Sequence, residues 1–163
     1  MVVESRDERT LLKLRTFMDF CSSLSQLSHD PKYQVATVIL TDNFREICSI
    51  GYNGDYRGGP NVRVCLEHNQ SGFLHSEENA LLQLNKPLEL RDQLILMCTH
   101  KPCTMCAKRI VNSGIKKVIY RDEYVDALGL TDVVFNDSGV QCYGFGSLLS
   151  SKEKRDGCLS RNK

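Results

Sequence analysis

The chain has 163 residues, 41% of them hydrophobic and 25% charged, and its formal net charge is +1. That size and balance suit one globular domain and exclude wholesale disorder, while near-neutral charge gives no general attraction to nucleic acid or to an acidic membrane, so a small ligand is the simpler expectation. No apolar run approaches the roughly 20 residues that span a bilayer, and the charged start from Met1 to Arg9 lacks a signal-peptide core, so the expected compartment is the cytoplasm.

Leu11, Leu14, Met18, Cys21 and Leu24 recur at helical spacing and predict an amphipathic helix over residues 4–27, ended by His29, Asp30 and Pro31. Residues 34–40 are rich in β-branched side chains and read as a strand. A turn at Asp42 and Asn43 leads to a second strand over residues 46–50, completing a hairpin. The stretch from Gly51 to Leu74, with Gly54, Gly58, Gly59, Pro60 and Gly72, is a long irregular loop of the kind that carries function.

Beyond it the pattern reads helix 76–84, strand 93–98, helix 103–113 closed by Gly114, and strand 117–120. Val125, Leu128, Val133 and Phe135 predict a last helix over residues 123–136 that stops near Gly139, followed by a strand over residues 140–145. Past Gly146 the chain turns to Ser, Lys and Arg, so the expected organisation is one domain over residues 1–145 and a polar tail, frayed or held by a partner, over residues 146–163. Strands separated by single helices after an initial hairpin predict an α/β fold, a mixed sheet of about five strands with helices on both faces.

Cys21, Cys48, Cys65, Cys98, Cys142 and Cys158 are scattered singly, as buried apolar cysteines are, and no disulfide framework is expected. Cys103 and Cys106 form the one close pair, within Pro102-Cys103-Thr104-Met105-Cys106. His75-Ser76-Glu77 stands 28 positions earlier, counted from His75 to Cys103. Each segment falls at a predicted helix start.

Zinc takes thiolate and imidazole ligands in a tetrahedron, and three protein ligands leave the fourth position for water, the layout of a catalytic site. Two cysteines in the first turn of a helix lie on one side, near unpaired amides that favour thiolate. Pro102 suits a position whose amide a helix cannot satisfy. Glu77, two residues beyond the histidine, can reach the open position without ligating and move protons there. Taken alone, the cysteine pair could be a redox dithiol, and a lone His-x-Glu is more often a surface accident than a site. Together they match the zinc-deaminase signature of His-x-Glu followed by Pro-Cys-x-x-Cys.

With these motifs, residues 34–39 (Gln-Val-Ala-Thr-Val-Ile), Gly51-Tyr52-Asn53-Gly54, the run His75 to Ala80, and the run from Ser113 to Tyr120, the chain resembles the cytidine deaminase superfamily, and within it the deoxycytidylate deaminases. The resemblance covers residues 28–145. It implies a three-layer α/β/α sandwich, a Zn2+ cofactor held by His75, Cys103 and Cys106, proton transfer by Glu77, and hydrolysis of deoxycytidylate (dCMP) to deoxyuridylate (dUMP) with release of ammonia. It also implies a homo-oligomer, such as a hexamer.

In such enzymes the Gly-Tyr-Asn-Gly segment lies at nucleotide sites, which makes Asn53 a candidate substrate contact. Arg57, Arg63, Lys101, Arg121 and Tyr124 are candidates for the phosphate, with Arg121 and Tyr124 favoured because they follow the strand after the zinc helix, where ligands collect on open sheets. Cys65 and His68 have the spacing of two ligands of the second, structural zinc that some relatives carry, to which His29 or Asp30 could add, though the set is incomplete. Ser76 replaces the usual alanine, and after Gly54 the chain departs from the family pattern, which leaves triphosphate regulation open. A deaminase of another nucleoside, base or RNA, and a silent zinc-containing binding module, remain the alternative readings.

Overall fold

The computed structural model describes residues 7–65, 67 and 71–150. The apolar stripe of the first helix, α1 (Glu8–Ser25), is buried through Leu11, Leu14, Met18, Cys21 and Leu24, and Asp7 caps its start by accepting from the Thr10 amide. Burying such side chains contributes about 1.5–3 kcal/mol each, enough to hold α1 against the sheet. The strands β1 (Ala36–Thr41) and β2 (Ile47–Tyr52) form the expected antiparallel hairpin, with a register shift at Ile39/Leu40.

After the long loop come α2 (Ser76–Leu82), a 3₁₀ turn (Leu88–Gln93), β3 (Leu94–His100), α3 (Thr104–Asn112), β4 (Lys117–Asp122), α4 (Thr131–Asp137), β5 (Gln141–Gly144) and α5 (Phe145–Ser150). The five strands lie in the order β2-β1-β3-β4-β5, with β3, β4 and β5 parallel and β1 antiparallel to both of its neighbours, β2 and β3, so the sheet is mixed as expected.

Period-two alternation splits the core into two layers. Val38, Leu40, Ile95, Met97 and Ile119 face α1 and Leu148 of α5. Ile39, Leu94, Leu96, Cys98 and Val118 face the other way, against Ala80 of α2, Ala107 and Ile110 of α3, and Phe135 of α4. The result is the three-layer α/β/α sandwich.

Two departures from the sequence reading have physical causes. The helix expected over residues 123–136 begins only at Thr131, because Asp126 spends its carboxylate on the start of α3 and Gly129 takes a φ of 62° that a helix cannot hold. Val125 and Leu128 therefore stand exposed in a loop. The chain also continues past residue 145 as α5, whose Leu148 is buried, because it returns an apolar face to the α1 layer. The rest of the expected tail lies outside the described residues. Among the described residues no helix is long and apolar enough to cross a membrane.

Candidate metal centre and active-site cleft

Two features of the fold aim the ends of α2 and α3 at one point. On the α2 side, the long loop is closed at its base by an isolated bridge between Gly54 and Leu74, which delivers His75 to the start of α2. Gly51 lets α2 lie directly on β2: a Cβ there would stand 2.3 Å from the Ser76 carbonyl and 2.5 Å from the Ala80 amide nitrogen. On the α3 side, β3 ends in a turn whose Lys101 amide donates to the Asp122 carbonyl, and Cys103 opens the helix just beyond the parallel strand ends. That is the edge of an open sheet where ligands gather.

His75 and Cys103 each occupy the N-cap position of their helix. His75 Nδ1 lies 3.6 Å from Cys103 Sγ and 3.4 Å from Cys106 Sγ, and all three ligand atoms fall within 4.8 Å of one another. Ligands bound to zinc at about 2.0–2.3 Å in a tetrahedron stand about 3.5–3.8 Å apart, so the donor set and its spacing fit this ion. It is the one such group among the described residues.

The same crowding makes these groups compete for protons. Cys103 is held down to about 4 by the hydrogen bond with Cys106, with His75 adding to the effect against the opposing pull of burial. His75 is pushed up to about 9, first by its bond to Cys103. Cys106 moves upward, through its bond to Cys103 and then through burial. The two helices are also tied together directly. Glu78 accepts from the His75 amide at 2.9 Å and pairs with Arg109 of α3 at 3.0 Å.

Glu77 is 4% exposed beside the histidine, and burial raises its carboxyl above the usual range against the lowering influence of His75. Its Oε2 accepts a hydrogen bond of 3.0 Å from Ser76. Glu77, His75 and Cys103 line a cleft whose walls include Asn53, Tyr33, Arg63, Lys101 and Tyr124.

The cleft gathers some of the residues singled out in the sequence and leaves others outside. Asn53 lines it, but its amide is largely engaged: Nδ2 donates to the Tyr33 carbonyl at 2.8 Å and Oδ1 accepts from the Val35 amide at 2.9 Å. Tyr124 lines it too, with its hydroxyl raised to about 12, chiefly by burial. Arg121 does not reach it. Like Ile119 it sits on the α1 side of β4, where its guanidinium bonds Asp122 at 2.7 Å and Ser22 of α1 at 2.5 Å.

Two cations line the cleft. Arg63 is sequestered against Asp30 at 2.5 Å, while Lys101 pairs with Asp132 at 2.9 Å and Glu123 at 3.5 Å. Asp30 is thus committed to Arg63 and to the Lys32 and Tyr33 amides, and His68 lies outside the described residues.

Asp126 escaped the sequence reading. Its carboxylate accepts from the Thr104 amide at 2.8 Å and the Thr104 hydroxyl at 2.9 Å, and so braces the first turn of the cysteine helix from 22 residues away. The only local signal was Gly129, which marks a turn rather than a helix.

Residues 12–122 match the family model described as the cytidine and deoxycytidylate deaminase zinc-binding region. An uncharacterised deaminase from the luxG 3′ region of Aliivibrio fischeri is 31% identical over 137 residues, covering 78% of this chain and 89% of that protein. The deoxycytidylate deaminase of Schizosaccharomyces pombe is 32% identical over 120 residues, covering 66% of this chain but only 36% of that longer protein. The structure of the dCMP deaminase from cyanophage S-TIM5 in complex with dCMP and dUMP aligns with a TM-score of 0.64 at 32% identity, covering 78% of this chain and 93% of that one.

The chain belongs to the cytidine and deoxycytidylate deaminase family. It is a zinc-dependent deaminase, a hydrolase of C–N bonds in cyclic amidines, and it resembles the dCMP deaminases.

Proposed function

We propose that the chain hydrolyses the 4-amino group of dCMP, converting dCMP and water to dUMP and ammonia, with His75, Cys103 and Cys106 holding the zinc and Glu77 moving the protons. The observation that carries this reading is the placement of Glu77, which no ligand requirement explains, on the floor of one cleft with two of the three metal-binding side chains. Bound zinc would acidify a water enough to supply a nucleophile at neutral pH.

The chain's own residues do the rest. Glu77 would take one proton from the attacking water and deliver it to ring N3, then take the second from the hydroxyl added at C4 and deliver it to the departing amine, so one carboxyl serves as base and acid in turn. Its burial excludes competing solvent and suits a group that must carry a proton for part of each cycle. Asn53, whose Oδ1 keeps a second lone pair after accepting from Val35, can take one hydrogen bond from a sugar hydroxyl or base amine, and Tyr124 supplies an amphipathic wall.

A nucleotide, rather than a free base, is supported by the likeness to dCMP deaminases. A homo-oligomer and a cytoplasmic setting belong to the same reading and rest on the resemblance; sedimentation of the purified protein tests the former. The substrate is tested by ammonia release from cytosine, cytidine, deoxycytidine and their mono- and triphosphates. The expected order has dCMP turned over with the highest kcat/KM. A clear preference for a free base or nucleoside would replace the nucleotide reading.

A further inference from the structure

We infer that Ser76 is a positioning residue for the proton-transfer step: its buried hydroxyl, braced from the sheet by Thr37, fixes the Glu77 carboxyl in the orientation that faces the cleft. This rests on the proposed role of Glu77 and adds to it a residue that neither ligates metal nor lines an ordinary apolar core.

Three elements meet at the Ser76 hydroxyl. Ser76 and Thr37 are both 0% exposed, and their hydroxyl oxygens stand 2.8 Å apart. Thr37 lies on β1 opposite Cys98 of β3 and is 3.2 Å from its sulfur, while Ser76 lies 3.8 Å from the same atom. On its other side Ser76 reaches Glu77 Oε2 at 3.0 Å. Strand alternation puts Thr37 and Cys98 on the α2 side of the sheet with Ile39, and the close seating of α2 over Gly51 brings the serine down to them.

Each hydroxyl has one proton to give, which orders the chain. Ser76 donates to the Glu77 carboxylate and so accepts in its contact with Thr37, whose one proton is shared between Ser76 and the Cys98 sulfur. An alanine at this position could do neither. It would leave the Thr37 hydroxyl short of a partner in a dry layer and release Oε2 from its tether.

The residue therefore does more than fill space. A carboxyl on a flexible side chain must be held to a fraction of an ångström for proton transfer to compete, and this contact provides the restraint from within the protein rather than from the substrate.

The test compares wild type with Ser76→Ala, Thr37→Val, the double variant and Thr37→Ser, after confirming equal zinc content. In crystal structures of the zinc-loaded proteins, Ser76→Ala should show the Glu77 carboxyl turned from its wild-type orientation. Its kcat on dCMP should fall between about tenfold and a hundredfold while KM stays within about twofold.

Thr37→Val should lose less, the double variant no more than Ser76→Ala alone, and Thr37→Ser should keep the wild-type rate. An unmoved Glu77 carboxyl in Ser76→Ala overturns the inference, as does an unchanged kcat. If the wild-type protein deaminates no cytosine compound, the substrate reading fails, and the Glu77 orientation in the paired structures still decides the role of Ser76.

Discussion

Glu77 shows how much of this chemistry lies in placement. A carboxylate in water is a weak base at the wrong pKa for the task; at 4% exposure, with burial pushing its carboxyl upward and His75 pulling the other way, it is poised to hold a proton between acceptors. Glu77→Gln keeps the size and removes the proton carrier. It should lower kcat by about 10²–10⁴-fold while the protein still binds one zinc, measured by steady-state ammonia release alongside metal analysis. Loss of the metal together with activity would mean that Glu77 acts as a ligand instead.

The gathering of His75, Cys103 and Cys106 was legible because each motif is short and sits at the start of one helix. The place of Arg121, away from the cleft, was not legible, for the opposite reason. Which face of β4 it occupies depends on register against two neighbouring strands, and that register puts it with Ile119 on the α1 side. Ser76 looked like a small replacement for alanine because its partner, Thr37, stands 39 positions away.

Among elements, the two that matter most are the starts of α2 and α3. Gly51→Ala would drive a methyl group into the backbone of α2, near the Ser76 carbonyl and the Ala80 amide, so that the helix carrying His75 must move. This should cost about 1–3 kcal/mol in denaturant unfolding and speed zinc loss to a chelator. A variant as stable as wild type would show that α2 can shift freely.

Asp126→Ala removes the brace on α3 and should cost about 1 kcal/mol, as loss of a helix cap does. Burial opposes its charge, yet the hydrogen bonds from Thr104 and Gly129 hold its carboxyl below the ordinary value of 3.8. A folded pKa below the unfolded one means that this stability is complete above the ordinary value and is lost as pH falls through the folded one. The gap between wild-type and variant urea midpoints should therefore be constant near neutrality and narrow below about pH 4. A gap that widens in acid would contradict the assignment.

Helix and strand order was legible from apolar periodicity, and the stop at Gly114, with its φ of 87°, was visible in the chain itself. The residue 123–130 segment was not, because its apolar residues mimic a helical stripe while its structure is dictated by a distant helix end.

At the scale of the molecule, the sandwich divides labour between its faces. The α1 and α5 layer closes over Val38, Leu40, Ile95, Met97 and Ile119 with no part in the cleft, whereas the α2, α3 and α4 layer carries the metal-binding residues on helix ends that the sheet aligns. The fold class could be read from the alternation of strands and helices. The contents of the cleft could not, because Tyr33, Arg63 and Lys101 reach it from three loops whose paths no local pattern specifies.

Since the zinc joins α2 to α3, its removal should loosen that layer first. Chelation should lower the melting temperature by about 10 °C while the opposite layer keeps most of the secondary structure. The central claim is tested most directly by incubating the zinc-loaded protein with dCMP and measuring dUMP and ammonia together, before and after chelation and after zinc is restored. The account predicts equal amounts of the two products, lost on chelation and recovered with zinc. No ammonia from dCMP with zinc fully bound, or turnover that persists after the metal is removed, would contradict it.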